Sequence, residues 1–238
     1  MSVAIVTGAS RGLGRALATA LIERGWSLVI DARGAGALGD TARDLEARRL
    51  EVNARVVAVP GDVADESHRR DLVEASEELG GIDLLVNNAS VLGPSPQPSL
   101  RDYPLDALED VFRVNAIAPL ALFQLASGAL ARSSGRVVNI TSDAAVEGYE
   151  GWGGYGASKA ALEQLSRVLA AEHPDIRVYW VDPGDMNTQM HQQAYPGEDI
   201  SDRPPPDASV PGLLEVIEGD LVGGRYRTAD LAREKASR

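Results

Sequence analysis

A chain of 238 residues with 44% apolar and 24% charged positions is able to bury one sizeable core and falls outside the disordered class. Its 35 acidic residues outnumber 23 basic ones, and the net charge of −12 repels phosphate backbones, which excludes nucleic acid or an anionic membrane as main partner. It has no cysteine, and so no disulfide scaffold, thiolate metal site or thiol catalysis.

Short β-rich runs alternate with segments of helical period. Residues 3–7, 27–31, 55–59, 84–87, 137–141 and 177–181 read as strands, and 224–227 as a last short one. Between them, 15–24, 41–49, 66–79, 105–131, 155–172 and 210–218 repeat apolar residues at three- and four-residue spacing and are predicted helices. Several strands are apolar almost throughout, as when helices cover both faces of a sheet. The prediction is a single doubly wound Rossmann-type α/β domain over 1–238, with a parallel sheet of about seven strands and helices on both faces. From 185 to 209 the pattern degrades into a Gln-, Pro- and Asp-rich stretch with one short helix near 188–194, expected to form a substrate lid. The first apolar run, 3–6, is too short for a signal peptide. No run approaches about 18 apolar residues. A soluble cytoplasmic chain with no membrane partner is therefore expected.

The first strand runs into Gly8-Ala9-Ser10-Arg11-Gly12-Leu13-Gly14 and then a helix. Glycines let a backbone approach a pyrophosphate, and a helix N-terminus offers unpaired N–H donors. A plain tight turn uses the same residues, but its place after the first strand of this pattern favours a nucleotide. The second strand ends Asp31-Ala32-Arg33. An acid at that tip suits the ribose of NAD, whereas an arginine suits the 2′-phosphate of NADP. Because side chains alternate along a strand, the direction of Asp31 is open. Arg11 and Arg33 together favour NADP(H), with NAD(H) the alternative.

Tyr155 and Lys159 stand four apart at the start of a helical stretch and so share a face. A phenol titrates near 10, too high for acid–base work at neutral pH. An ammonium about 4 Å away contributes roughly 4 kcal/mol at an effective dielectric of about 20, which lowers that value towards its working range. Ser142 closes the fifth strand, at the carboxyl end where open α/β sheets place ligands. There its hydroxyl can bond a substrate oxygen opposite the phenol.

With Thr7–Gly14, Asp62-Val63, Asn87-Asn88-Ala89, Asn115, Ser142, Tyr155/Lys159 and Pro183-Gly184…Thr188 in order, residues 3 to 188 resemble the short-chain dehydrogenase/reductase family. The resemblance implies that Tyr155 exchanges a proton with a substrate oxygen held by Ser142. It implies that Lys159 also bonds the nicotinamide ribose, and that Asn115 holds a water linking Lys159 to solvent. Asp62 and Val63 would meet the adenine, Asn88 and Ala89 the middle of the cofactor, and Pro183, Gly184 and Thr188 the carboxamide. Two departures stand out: Ser90 where the family usually has glycine, and a C-terminus without the Gly-Gly ending of many members. Pro119 has no N–H for the carbonyl of Asn115, four residues back, which would leave that carbonyl for the water. A kink needed only for packing is the other reading.

Tyr149, Trp152, Met186 and Met190 flank the expected site and suit an apolar substrate, or else pack the lid. His68, His173 and His191 show no metal-ligand spacing, so no metal is expected, and His68 reads as a surface residue. The function expected is hydride transfer between NADP(H) and a small carbonyl or secondary alcohol. The rivals are a catalytically silent nucleotide-bound sensor and an isomerase or dehydratase of the same fold. By the same resemblance, the helices at 105–131 and 155–172 would support a homodimer or homotetramer.

Overall fold

The structure, a computed structural model, describes residues 1–236. Seven strands form one sheet: β1 (Val3–Val6), β2 (Ser27–Ala32), β3 (Val56–Pro60), β4 (Leu84–Asn87), β5 (Arg136–Ile140), β6 (Arg177–Asp182) and β7 (Gly224–Arg227). Their order is β3-β2-β1-β4-β5-β6-β7, and every neighbouring pair is parallel. The chain runs outward from β1 to β3, then crosses back to β4 and runs outward the other way. The connections leaving β1 and β4 therefore diverge, and they open a crevice at the carboxyl ends of the strands.

The helices are α1 (Gly12–Ile22), α2 (Ala35–Arg48), α3 (Glu66–Glu78), α4 (Leu105–Phe112), α5 (Ala118–Ser133), α6 (Gly153–Glu172), α7 (Gln189–Ala194), α8 (Val210–Glu218) and α9 (Thr228–Ala236). Strand alternation sorts them onto two faces. Ala4, Val6, Leu28, Ile30 and Val181 point to one face, under Leu17 and Leu21 of α1, Leu45 of α2 and Leu213 and Ile217 of α8. Ile5, Val29, Leu85, Val137 and Val178 point to the other, under Leu72 of α3, Leu122, Phe123 and Leu130 of α5 and Leu169 of α6. Both sides are buried, which is why these strands read as continuous apolar runs. The doubly wound fold read from the pattern is the fold that forms.

Three elements differ from the reading. The second helix begins at Ala35 rather than 41, because Gly36 and Gly39 hide an inward stripe of Leu38, Thr41 and Leu45. The helix expected over 105–131 runs from Leu105 to Ser133 through one wide π turn at Arg113–Ile117, where the Ala118 N–H reaches back five residues to the Arg113 carbonyl. Within its 29 residues an 18-residue window has mean hydropathy 1.5, long and apolar enough to cross a membrane; half of that window is buried, and its inward side chains belong to the second core. The third difference is α9, which follows β7 without a turn and seats Thr228 beneath Gly212 of α8, where a Cβ would meet the Thr228 backbone at 2.6 Å.

Candidate active site

The crevice is an open cleft of about 1350 Å³ that runs from the β2 tip, over the glycine turn, to α7 and the β5–α6 connection. Gly8 sits at φ +67, and a Cβ there would lie 2.9 Å from the Ala89 Cα, so only glycine lets β1 and β4 close at this point. Asn88 fills the space beside Gly14, where a Cβ would come within 2.5 Å of its Nδ2. That amide donates to the carbonyls of Thr7 at 2.8 Å and Gly8 at 3.2 Å. Asn88 thus lines the cleft, but its side chain laces the glycine turn to β4. The backbone N–H groups of Asn88 and Ala89 both donate to the Thr7 hydroxyl. The start of α1 is left facing the cleft through Gly12 and Leu13, as phosphate binding requires.

Asp31 turns inward. Its Oδ1 accepts the Gly8 N–H at 2.6 Å, and its Oδ2 lies 3.0 Å from Nε2 of His68. His68 is buried, not a surface residue, and it occupies the space that a Cβ on Gly61 would fill, its Nδ1 at 2.2 Å. With the acid committed to the turn, Ala32 and Arg33 present the β2 tip to the cleft. Arg11 does not join Arg33; its guanidinium donates to the Gln189 side chain and so ties α7 to the glycine turn. Asp62 and Val63 line the same end, Asp62 capping its own loop by accepting the Ala64 N–H at 2.9 Å.

At the other end, β5 and α6 converge. Tyr155 is 9% exposed and Lys159 2% exposed, one turn apart on α6. The Lys159 Nζ donates to the Ile140 carbonyl at 2.8 Å and stands 5.5 Å from the centre of the Tyr155 ring. One carbonyl satisfies only one of the three ammonium donors. Burial pushes Lys159 down to about 7. Burial also pushes the Tyr155 phenol upward, helped by the charges of Asp182 and Asp143, while the facing hydroxyls of Ser90 and Ser142 pull the other way. The phenol is therefore raised, not lowered as its spacing from Lys159 leads one to expect, and desolvation is the largest cause. Ser142 donates to Asp143 Oδ1 at 2.9 Å and accepts the Ala144 N–H at 3.2 Å.

Asn115 is fully buried inside the π turn. Its Oδ1 accepts from the Ser90 hydroxyl at 3.0 Å and the Val91 N–H at 2.9 Å, and its Nδ2 donates to the Val91 carbonyl at 2.9 Å and to Ser158 at 3.0 Å. This one amide fixes the β4 loop against α6 beside Tyr155. Ser90, a departure from the family pattern, links two of these residues: its hydroxyl stands between Asn115 and the phenol. Pro183 anchors the start of the segment 185–209, its carbonyl accepting from Ser209 and Thr228, and Gly184 turns there at φ +75. Thr188 caps α7. Met190 and Trp152 pack on Leu92, Ala144 and Tyr155, whereas Met186 packs on the opposite core, under the glycine turn. All four residues expected at the substrate end, Tyr149, Trp152, Met186 and Met190, line the cleft.

Sequence reasoning missed the ion network behind these residues. Glu163, one turn beyond Lys159, is 1% exposed and accepts from Thr141 at 3.0 Å, Arg167 at 3.0 Å and Arg225 at 2.9 Å. Arg225 of β7 also donates to the Ser142 carbonyl at 3.2 Å and lies 3.7 Å from Asp182. Spacing along the chain carries no sign of a link between positions 62 apart.

The profile of the short chain dehydrogenase family matches residues 2–199. Among curated proteins, the chain is 38% identical over 200 residues to a rhamnolipids biosynthesis 3-oxoacyl-[acyl-carrier-protein] reductase of Pseudomonas aeruginosa, covering 79% of this chain and 74% of that protein. It is 35% identical over 204 residues to the sepiapterin reductase of Mus musculus, covering 81% and 77%. A solved alcohol dehydrogenase from the archaeon Thermococcus sibiricus, complexed with 5-hydroxy-NADP, superposes with a TM-score of 0.84 at 26% identity, covering 95% of each chain. A glycine turn at the sheet's reversal point, a buried Tyr–Lys pair facing a serine, and these likenesses converge: the chain belongs to the short chain dehydrogenase family and is an oxidoreductase of carbonyl and alcohol groups.

Proposed function

We propose that this enzyme reduces a small carbonyl compound with NADPH, with Tyr155 as the proton donor and Ser142 as the holder of the carbonyl oxygen. The observation that carries this reading is the Tyr155 phenol, buried at the cleft floor, faced by the Ser142 and Ser90 hydroxyls and backed by Lys159. A nicotinamide dinucleotide fits the remaining residues: the glycine turn leaves room for a pyrophosphate, and the free donors of Lys159 suit a ribose. When bound, the cofactor supplies the hydride that adds to the carbonyl carbon. Tyr155, held protonated by its burial, delivers a proton to the oxygen as negative charge develops there. Ser142 turns its hydroxyl from Asp143 towards that oxygen.

The preference for NADP(H) over NAD(H) rests on Asp31 being spent on Gly8 and His68, which leaves Arg33 at the β2 tip for a 2′-phosphate. Residues 185–209 act as the lid, closed onto the turn by Arg11 and Gln189. Self-association uses the outward faces of the π turn, α5 and α6, where Ile117, Leu125 and Val168 respectively are exposed. The net charge argues against nucleic acid or an anionic membrane as partner, and a cytoplasmic location is part of the same proposal.

The test is NADPH consumption over a panel of aldehydes, ketones and diketones. Tyr155→Phe should lower turnover by about a hundredfold to ten-thousandfold. Arg33→Ala should weaken NADP and leave NAD affinity in place. Cofactor binding without turnover of any carbonyl, and no loss in Tyr155→Phe, would mean a silent sensor instead.

A further inference from the structure

We infer that the substrate end of the cleft is built for a carbonyl compound, or its alcohol, that carries a protonated amine, with Asp143 as the anchor for that amine. The inference rests on the oxidoreductase reading of the same site. Asp143 directly follows Ser142, so whatever it holds lies within a few ångströms of the reacting oxygen. Its two carboxylate oxygens are used differently. Oδ1 accepts from the Ser142 hydroxyl at 2.9 Å and the Ala144 N–H at 2.8 Å, which fixes the carboxylate. Oδ2 is met by the Tyr149 hydroxyl at 3.1 Å, and Tyr149 is 46% exposed on a surface loop. That phenol is a placeholder which a ligand's N–H group can displace.

The charges around Asp143 make it distinctive. Each of the other carboxylates that line this half of the cleft has a cation: Asp110 has Arg113 at 2.8 Å, Asp182 has Arg225 and Arg227 at 3.7 Å each, and Asp185 has Arg203 at 3.9 Å. Among the described residues Asp143 has none within ion-pair distance. The cations that line the cleft lie elsewhere: Arg11 and Arg33 belong to the glycine turn and β2 tip, and Lys159 is turned to the Ile140 carbonyl. An anionic substrate entering here meets an uncompensated carboxylate, with Lys159 held behind Tyr155 and donating to the Ile140 carbonyl, whereas an ammonium meets its complement.

The wall opposite supports the same chemistry. Trp152 packs edge-on against Tyr155 at 5.7 Å and lies 6.1 Å from Tyr195, with Leu92, Ala144 and Met190 completing an apolar chamber. Aromatic faces attract cations as well as apolar groups, and more strongly in a desolvated chamber. His191 lies beside Tyr195, the ring centres 4.9 Å apart and the planes tilted.

The experiment compares three aryl ketones of one skeleton bearing an aminomethyl, a methyl or a carboxylate group. Values of kcat/KM are taken with NADPH for the native enzyme, Asp143→Asn and Asp143→Ser. The native enzyme should favour the ammonium over the carboxylate by at least about tenfold, a preference that shrinks with added salt. Both variants should lower that ratio several-fold, whatever they do to the rates themselves. A native ratio at or below one, or a ratio that neither variant moves, overturns the inference. If the native enzyme reduces the methyl ketone and shows no charge order, this inference falls and the oxidoreductase reading stands. If none of the three turns over, the same ratio is read from binding of the three alcohols to the NADP-loaded protein, followed by tryptophan fluorescence, and the same two outcomes decide.

Discussion

Lys159 is the residue on which sequence and structure differ most in meaning. Its spacing from Tyr155 told that the two share a helix face, but not that burial would bring the amine to about 7. A lysine whose folded value lies below its ordinary 10.5 binds fewer protons folded than unfolded across the interval between them. Stability therefore rises with pH from about 7 towards 10, and the penalty is complete below 7. Relative to Lys159→Met, the native protein should gain up to about 1.4 kcal/mol per pH unit between pH 7 and 9, measured by urea unfolding. A flat difference would mean that the amine stays charged and solvated in the fold. The same scale explains what was legible at Asp31. Its place at the β2 tip was readable, but its direction was not, because alternation needs one reference residue and the strand offered none. The partner that decides it, His68, comes 37 residues later from α3.

At the scale of elements, the strand–helix alternation was legible because both faces of the sheet are buried and the helices carry clear apolar stripes. The exceptions are instructive. Glycines at 36 and 39 concealed the start of α2, and the π turn at Asn115 was invisible because its extra residue changes hydrogen bonding without changing composition. Pro119 lies two residues past that turn and offers no N–H to the Asn115 carbonyl, and the helix is widened just before it. What β7 does for α6 left no mark in the sequence. Arg225→Gln removes one donor from Glu163, one from the Ser142 carbonyl and one cation near Asp182. It should cost about 2 kcal/mol of stability. It should also lower kcat with little change in the KM for cofactor, and Arg225→Lys should recover part of the stability and less of the rate. Equal loss of kcat and cofactor affinity would point to general loosening instead of a role behind Ser142.

For the whole molecule, the fold and the order of its motifs were readable almost from end to end, whereas assembly was not. A net charge of −12 keeps copies apart, yet Ile117 at 56%, Leu125 at 39% and Val168 at 42% exposure lie bare on the helices that flank the site. Bare apolar stripes of this kind mark contact surfaces. Leu125→Glu combined with Val168→Glu should convert a sedimenting dimer or tetramer into monomers, with the unfolding transition retained. A native chain that already sediments as a monomer would remove the basis for that face.

The Arg225 contact also orders events in time. Synthesis delivers the N-terminal half first, so the glycine turn, Ser142, Tyr155 and Lys159 all leave the ribosome before residue 225 exists. Until that arginine docks, Glu163 and Asp182 lack one of their cations, and the loop bearing Ser142 lacks its rear support. The glycine turn and the Tyr155–Lys159 pair are thus synthesised before the arginine that backs the Ser142 loop.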